Sequence, residues 1–334
     1  MDNRQVLINE LPSGKLSEDN YKLSDAPMPV AEAGQVVVKT RAFAITAGAR
    51  AGLQGSASYA GAPTTGIVMN GTGIGEVVES QSEDVPVGSM VLGSTGWQAY
   101  VALAAESVTL IPSERESIQY LGPLGVNGLT AYFGLLDVGQ PKEGETVLVS
   151  GAAGSTGSIA AQIAKIKGCR VIGVAGGAEK CKWLTEEVKI DAAIDYKKAN
   201  LSEVLPELCP EGVDVVFDNV GGEFLNTALT VVNQSARLAI CGAISGYNNE
   251  TPAPGPSNYM ALIIQRARME GFIVLDYMDK FPEAIGELMQ WESEGKIIYQ
   301  EDIQEGIENA PETLLRLYTG KNKGKQLLKI ADPE

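Results

Sequence analysis

Residues 147–184 read VLVSGAAGSTGSIAAQIAKIKGCRVIGVAGGAEKCKWL. VLVS is a short apolar run stopped by glycine, SIAAQIAKIK is a small-residue stretch with helical spacing, and CRVIGVA is a second β-branched run. Strand, turn, helix and strand in that order form a βαβ unit, whose two strands lie parallel in one sheet. Between the first strand and the helix stands Gly151-x-x-Gly154-x-x-Gly157. Glycine at those places permits the tight turn, the approach of backbone to a pyrophosphate and close helix–strand packing, while the helix N-terminus offers N–H groups to the anion. The plainer alternative is glycine used only to turn the chain. The position after a strand and before a helix favours dinucleotide binding.

The end of the second strand then says which dinucleotide. A site that reads an unphosphorylated adenosine ribose carries an acid about 20 residues on, bound to the 2′-hydroxyl. Here that place holds Gly176 and Gly177, with Lys180 one turn later and Lys182 nearby. A carboxylate would repel a 2′-phosphate; glycine leaves it room and lysine supplies a point charge. Tyr196, in AAIDYKK, adds a hydroxyl. The expected cofactor is NADPH/NADP+. The alternative for Lys180 is a solvated residue at a helix start.

The bulk composition fits a protein that takes a small ligand. The chain has 334 residues, enough for two domains, with 44% hydrophobic and 20% charged residues. Acids outnumber bases 42 to 26, a net charge of −16. That charge repels nucleic acid and anionic lipid, so neither is an expected partner. MDNRQVLINELPSGK has no basic stretch followed by an apolar run, so no signal peptide is expected, and no apolar stretch is long enough to span a bilayer. Cys169, Cys181, Cys209 and Cys241 are scattered and there is no histidine. A reduced, cytoplasmic protein without a metal site is the expectation.

Along the chain, the first part alternates short β-type runs with glycine and proline. GQVVVKTRAFAIT, GTGIGEVVES, GSMVLG and WQAYVAL read as strands of an irregular antiparallel unit. LGVNGLTAYFGLLDVG then has helical spacing. From ETVLVSG onward β and α segments alternate through AAIDY, VDVVFDNVGG and RLAICGAI, which predicts an open parallel sheet covered on both faces. EGFIVLDY reads as a strand, PEAIGELMQWESEG as a helix, and KQLLKI as a last strand that returns to the first domain.

GAAGSTG, GGAEKCKWL, AAIDYK, VDVVFDNVGG, ICGAISGYN, EGFIVLDY and GKNKGK occur in one order along nearly the whole chain. In that order they resemble the zinc-free branch of the medium-chain dehydrogenase/reductase superfamily, the prostaglandin, alkenal double-bond and curcumin reductases. The resemblance implies an α/β protein: a GroES-like irregular β domain over 1–124, completed by about 300–334, a Rossmann doubly wound parallel sheet over 125–299, and a cofactor cleft between them. It also implies a homodimer. Carried onto matching positions, Gly151, Ala152, Ala153, Gly154, Ser155, Thr156 and Gly157 cradle the pyrophosphate, and Gly176, Gly177, Lys180 and Tyr196 take the 2′-phosphate end. Asn219 touches the ribose–pyrophosphate, although DNVGG also reads as a plain turn. Cys241, Gly242, Ala243, Ile244, Ser245 and Tyr247 line the nicotinamide half. Phe272, Ile273 and Val274 offer backbone groups to the carboxamide, where periodicity alone reads core strand. Asn322 reaches the cofactor from the C-terminal segment, in a lysine-rich stretch that otherwise reads as a solvated edge.

Two stretches depart from the family pattern. D-P-Y-M-R is here TAGAR, Thr46–Arg50, and G-M-P-G-L-T-A-Y is GVNGLTAY, with Val126 and Asn127 in place of methionine and proline. Both belong beside substrate or nicotinamide, so substrate identity is not inherited, and Gly48 implies a differently shaped pocket.

Without histidine the chain cannot supply the zinc ligands and imidazole relay of the family's alcohol dehydrogenases. Reducing a carbon–carbon double bond conjugated to a carbonyl asks for less: hydride to the β-carbon, a hydrogen-bond donor for the enolate oxygen, and a proton from a hydroxyl or water. The expected substrate is a small α,β-unsaturated ketone or aldehyde. Tyr247 is the first candidate donor, with packing against the nicotinamide ribose as its alternative; Tyr259, at the end of TPAPGPSNY, and Tyr59 are weaker ones. Arg50 is a candidate contact for an acidic substrate group, with a surface salt bridge as the alternative. Quinone reduction, or NADPH binding with little turnover, are the rival functions.

Overall fold

The computed structural model describes residues 2–53, 64–112, 118–251 and 253–330. Tyr59 lies outside the described residues. The chain divides into two compact units, one of residues 1–122 with 301–334 and the other of 123–300.

The first unit is built on long, bent β3 (Gln35–Ala44), the GQVVVKTRAFA run, buried at seven of its ten positions, all but Gln35, Lys39 and Arg41. It pairs antiparallel with β4 (Gly73–Ser80), β6 (Tyr100–Ala104) and β15 (Lys325–Lys329). Register shifts between Val37 and Val38 and between Thr40 and Ala42 mark bulges, which bend and twist the strand enough to serve several partners. β5 (Met90–Gly93), β7 (Thr109–Ile111) and β14 (Glu301–Glu305) complete the seven-stranded sheet. β1 (Asn3–Ile8) and β2 (Tyr21–Ala26) form a separate antiparallel pair. Trp97 anchors the core between them, with its ring 5.5 Å from Tyr21 and 5.8 Å from Phe43. KQLLKI is the strand that brings the C-terminal segment onto β3.

The second unit holds one parallel sheet. Its strands are β8 (Thr146–Ser150), β9 (Arg170–Ala175), β10 (Ala192–Asp195), β11 (Val213–Asp218), β12 (Val232–Ile240) and β13 (Arg268–Gly271). Spatial order is β10-β9-β8-β11-β12-β13, with every neighbour parallel. β8 is buried at all five positions, as a central strand covered on both faces must be. The order runs outward from β8 to β10, then returns to β11 on the other side. Ligands of such sheets bind beyond the carboxyl ends of the strands at that reversal.

One expected element is shorter than its sequence. EGFIVLDY does not run through as a strand: β13 ends at Gly271, and Val274–Lys280 is a 3₁₀ turn. The reason is a notch at Gly134, where an added Cβ would lie 2.1 Å from Phe272 Cζ. The Phe272 ring fills that notch and meets Phe217 edge-on at 6.5 Å. Among the described residues no helix is long and apolar enough to cross a membrane.

Candidate dinucleotide site

The turn after β8 is a cradle that only glycine can line. Gly151 has φ +58°, a left-handed conformation, and its carbonyl would lie 2.3 Å from a Cβ on Gly157. Ala152 N–H donates to Val174 O at 3.0 Å, which ties the turn to β9, and Gly154 N–H closes it onto Gly151 O at 2.9 Å. The helix Ser155–Ile166 then starts at Gly154, which supplies no side-chain cap. Its first-turn N–H groups, without intrahelical partners, are left for an anion.

Across the sheet reversal, Ser150 at the end of β8 and Asp218 at the end of β11 lock the floor of the site. Ser150 Oγ donates to Asp218 Oδ1 at 2.7 Å and accepts from Asn219 N at 2.8 Å. Asn219 Nδ2 donates to Ser150 O at 2.7 Å. Val220 and Gly221 N–H groups also donate to the Asp218 carboxylate. Burial pushes the Asp218 carboxyl above its ordinary range, against the pull of these donors. DNVGG is therefore a turn wound on a buried carboxylate, with Gly221 and Gly222 at positive φ. Cys241 and Gly242 N–H groups both donate to Asp218 O, and Ser245 Oγ donates to Val220 O at 2.6 Å. Burial and the Asp218 charge push the Cys241 thiol up to about 12. Tyr247 folds back over this loop and accepts from Ala243 N–H at 3.4 Å; Ile244 opens the single 3₁₀ turn between them.

At the ends of β9 and β10 the structure brings Gly176 and Tyr196 together. A Cβ on Gly176 would lie 2.9 Å from the Tyr196 hydroxyl. Asp195 Oδ1 accepts from Gly177 N at 2.8 Å and Lys197 N at 3.1 Å, which holds its carboxyl below the usual range. Lys180 stands half-buried on the helix Ala178–Glu186 that begins there. The cradle, the glycine-lined ribose end and its lysine fit an NADP-type dinucleotide.

Other expected residues fall elsewhere. Phe272 is packed as described, Ile273 is extended backbone, and Val274 is buried. Tyr259 is exposed just before the helix Met260–Ile264. The loop before it is pinned at one end, where Asn258 Nδ2 donates to Asn226 O at 2.8 Å. Asn322, in the β-rich unit, turns the chain into β15 by donating to Gly324 O. The surface salt bridge considered for Arg50 is corrected: the side chain is fully buried, and Nη2 donates to Gly14 O at 2.6 Å. Tyr318 and Tyr21 lie near enough to act on its charge, and no accessible surface remains for a substrate acid. Ser150, Asp195 and Asn127, whose amide donates to Thr156, organise the site without having been singled out for those contacts. Among the described residues, no three His, Cys, Asp or Glu side chains are grouped to hold a metal.

Residues 4–111 match the family described as N-terminal domain of oxidoreductase, and residues 155–291 the family described as Zinc-binding dehydrogenase. The chain is 39% identical to the NADPH-dependent curcumin reductase of Escherichia coli, over 98% of this chain and 97% of that one. It is 44% identical to prostaglandin reductase 1 of Bos taurus, over 79% and 82%. The crystal structure of CurA in complex with NADPH from Vibrio vulnificus is 36% identical and superposes with a TM-score of 0.94, over 99% of this chain and all of that one. The β-rich unit is accordingly the GroES-like fold and the parallel sheet the Rossmann fold. With two family matches in tandem, end-to-end relatives and no histidine in the chain, this protein belongs to the medium-chain dehydrogenase/reductase family, in its zinc-free branch of reductases.

Proposed function

We propose that this protein reduces the carbon–carbon double bond of α,β-unsaturated ketones and aldehydes, using NADPH. The observation that carries the cofactor half is the corner at Gly176, where the Tyr196 ring crowds a side chain in the place of the acid of an NAD site, with Lys180 on the helix that begins beside it. Relatives that are NADPH-dependent curcumin and prostaglandin reductases support the reaction half.

NADPH, when bound, supplies the hydride that adds to the β-carbon of the conjugated carbonyl. The chain's part is to hold and polarise. Gly151 through Gly157 and Asn219 would take the diphosphate and its ribose, and Cys241 to Ser245, on the Asp218-anchored loop, would line the nicotinamide half. The backbone at Phe272–Val274 would meet the carboxamide. The Tyr247 hydroxyl would donate a hydrogen bond to the carbonyl oxygen, where negative charge gathers, and keep its proton; the one proton the product needs would reach the α-carbon from Tyr259 or from water.

The protein works as a homodimer in the cytoplasm. β13 is a sheet edge exposed at all four residues, and Met260, Ile263, Ile264 and Met278 beside it are each more than half exposed. An unpaired edge flanked by apolar side chains suits pairing with a second copy, which light scattering on the purified chain would read as twice the monomer mass.

The test of the reaction is consumption of NADPH with a panel of enones, enals, quinones and saturated carbonyls, with products identified. Saturated ketones and aldehydes are the expected products. Turnover of quinones alone would replace the reading with quinone reduction, and cofactor binding without turnover would replace it with a binding protein.

A further inference from the structure

Two helices begin side by side at the glycine cradle. Asn127 is the second residue of Val126–Phe133 and Thr156 the second of Ser155–Ile166, and Asn127 Nδ2 donates to Thr156 Oγ1 at 3.0 Å. Their N-caps are Gly125 and Gly154, and neither supplies a side-chain cap. Both helices therefore bring the positive ends of their dipoles to one place. In a chain of net charge −16, no lysine or arginine lies in 123–128 or 151–157. An anion there is held by backbone and hydroxyl dipoles.

Direction matters in such a site. A side-chain amide nitrogen only donates, so Thr156 Oγ1 is the acceptor of the Asn127 bond. The hydroxyl proton must point elsewhere, and among the described residues nothing accepts it. We propose that Asn127 is a positioning residue: it turns the Thr156 hydroxyl into a fixed donor toward the diphosphate of the bound dinucleotide. The proposal rests on the NADPH reading above. The G-M-P-G pattern of the family places proline at this position, and proline has no side-chain donor to make this bond.

Asn127→Asp inverts the bond. The carboxylate keeps the shape of the amide but has no N–H, so it takes the Thr156 proton for itself and adds a negative charge beside the diphosphate.

The test measures dissociation constants of the full-length protein by fluorescence titration, for NADPH and for 2′-AMP, which carries the 2′-phosphate but no diphosphate. The expected loss of NADPH affinity is about fivefold for Asn127→Ala and about tenfold for Thr156→Val, the size of one hydrogen bond. Asn127→Asp should lose about 30-fold or more through charge and reversed polarity. Asn127→Ala added to Thr156→Val should cost nothing further, because the hydroxyl it orients is gone. Affinity for 2′-AMP should stay as in the wild type throughout. Additive losses in the double variant, or equal losses for 2′-AMP, would overturn the positioning role. Wild-type protein that bound neither ligand would overturn the cofactor reading itself. If Asn127→Asp fails to fold by circular dichroism, the alanine–valine cycle decides the question alone.

Discussion

The Tyr196 ring occupies the space that a side chain at residue 176 would need: a Cβ on Gly176 would stand 2.9 Å from both Cε1 and Oη of that ring. The two residues sit at the ends of adjacent parallel strands, β9 and β10. A side chain here would have to push aside the outer end of the half-exposed Tyr196 ring, so its neighbour favours glycine. Gly176→Asp should weaken NADPH about tenfold or more, through crowding and charge repulsion, without creating NADH activity. Gly176→Asp combined with Tyr196→Ala opens the space, and KM for NADH should then fall. Steady-state KM values for both cofactors check it; a gain of NADH activity in the single variant would contradict the steric argument.

Gly157 faces a harder obstacle, since its neighbour is backbone. A Cβ there would stand 2.3 Å from Gly151 O and 2.9 Å from Gly151 C. Gly157→Ala should open the cradle, destabilise the protein by ~2 kcal/mol as overpacking does, and weaken NADPH and NADH alike. Denaturant unfolding and cofactor titration read the two effects separately.

Tyr247 is proposed to act on the carbonyl oxygen and not on the diphosphate. Tyr247→Phe should therefore lower kcat about 100- to 1,000-fold, the usual scale for one oxyanion donor, and leave the NADPH dissociation constant unchanged. A loss of NADPH affinity with kcat preserved would make Tyr247 a packing residue of the ribose.

Away from the site, Arg237 grips Glu145 with two nitrogens and also donates to Gly139 O and Gln140 O. Burial raises the Glu145 carboxyl, but the Arg237 bonds outweigh it and hold it below its ordinary 4.5. The folded value is the depressed one, so the stabilisation is full above the unfolded pKa and is lost as pH falls through the folded value. Glu145→Gln should cost ~2 kcal/mol near neutral pH, less than the ~3–5 of a fully buried broken pair, and should flatten the acid limb below about pH 4.5. Urea unfolding from pH 7 to pH 3 checks both.

The βαβ unit at 147–175 and the glycine turn were legible because their signals are local: periodicity over a few residues and glycine at fixed spacing. The glycines at 176 and 177, where an acid would stand in an NAD site, were legible for the same reason. The web beneath it was not, because Ser150 and Asp218 are 68 residues apart and meet only through strand order. Asn127 read as a departure from a family pattern, and only the convergence of two helix ends shows its partner. Arg50 misled because an arginine in a short glycine-rich segment reads as surface, while the β-rich unit folds it inside against Gly14 O. FIVL read as strand because β-branched runs usually are. Phe272 had a better place against Gly134, and the strand stopped before it.

The most direct test of the central claim follows the transferred hydrogen. The protein would be given NADPH carrying deuterium at the transferable C4 position, with a simple conjugated enone, and the product analysed by NMR. The account predicts a saturated ketone with deuterium on the carbon β to the carbonyl. Deuterium on a carbinol carbon, with the double bond intact, would mean carbonyl reduction and would contradict it.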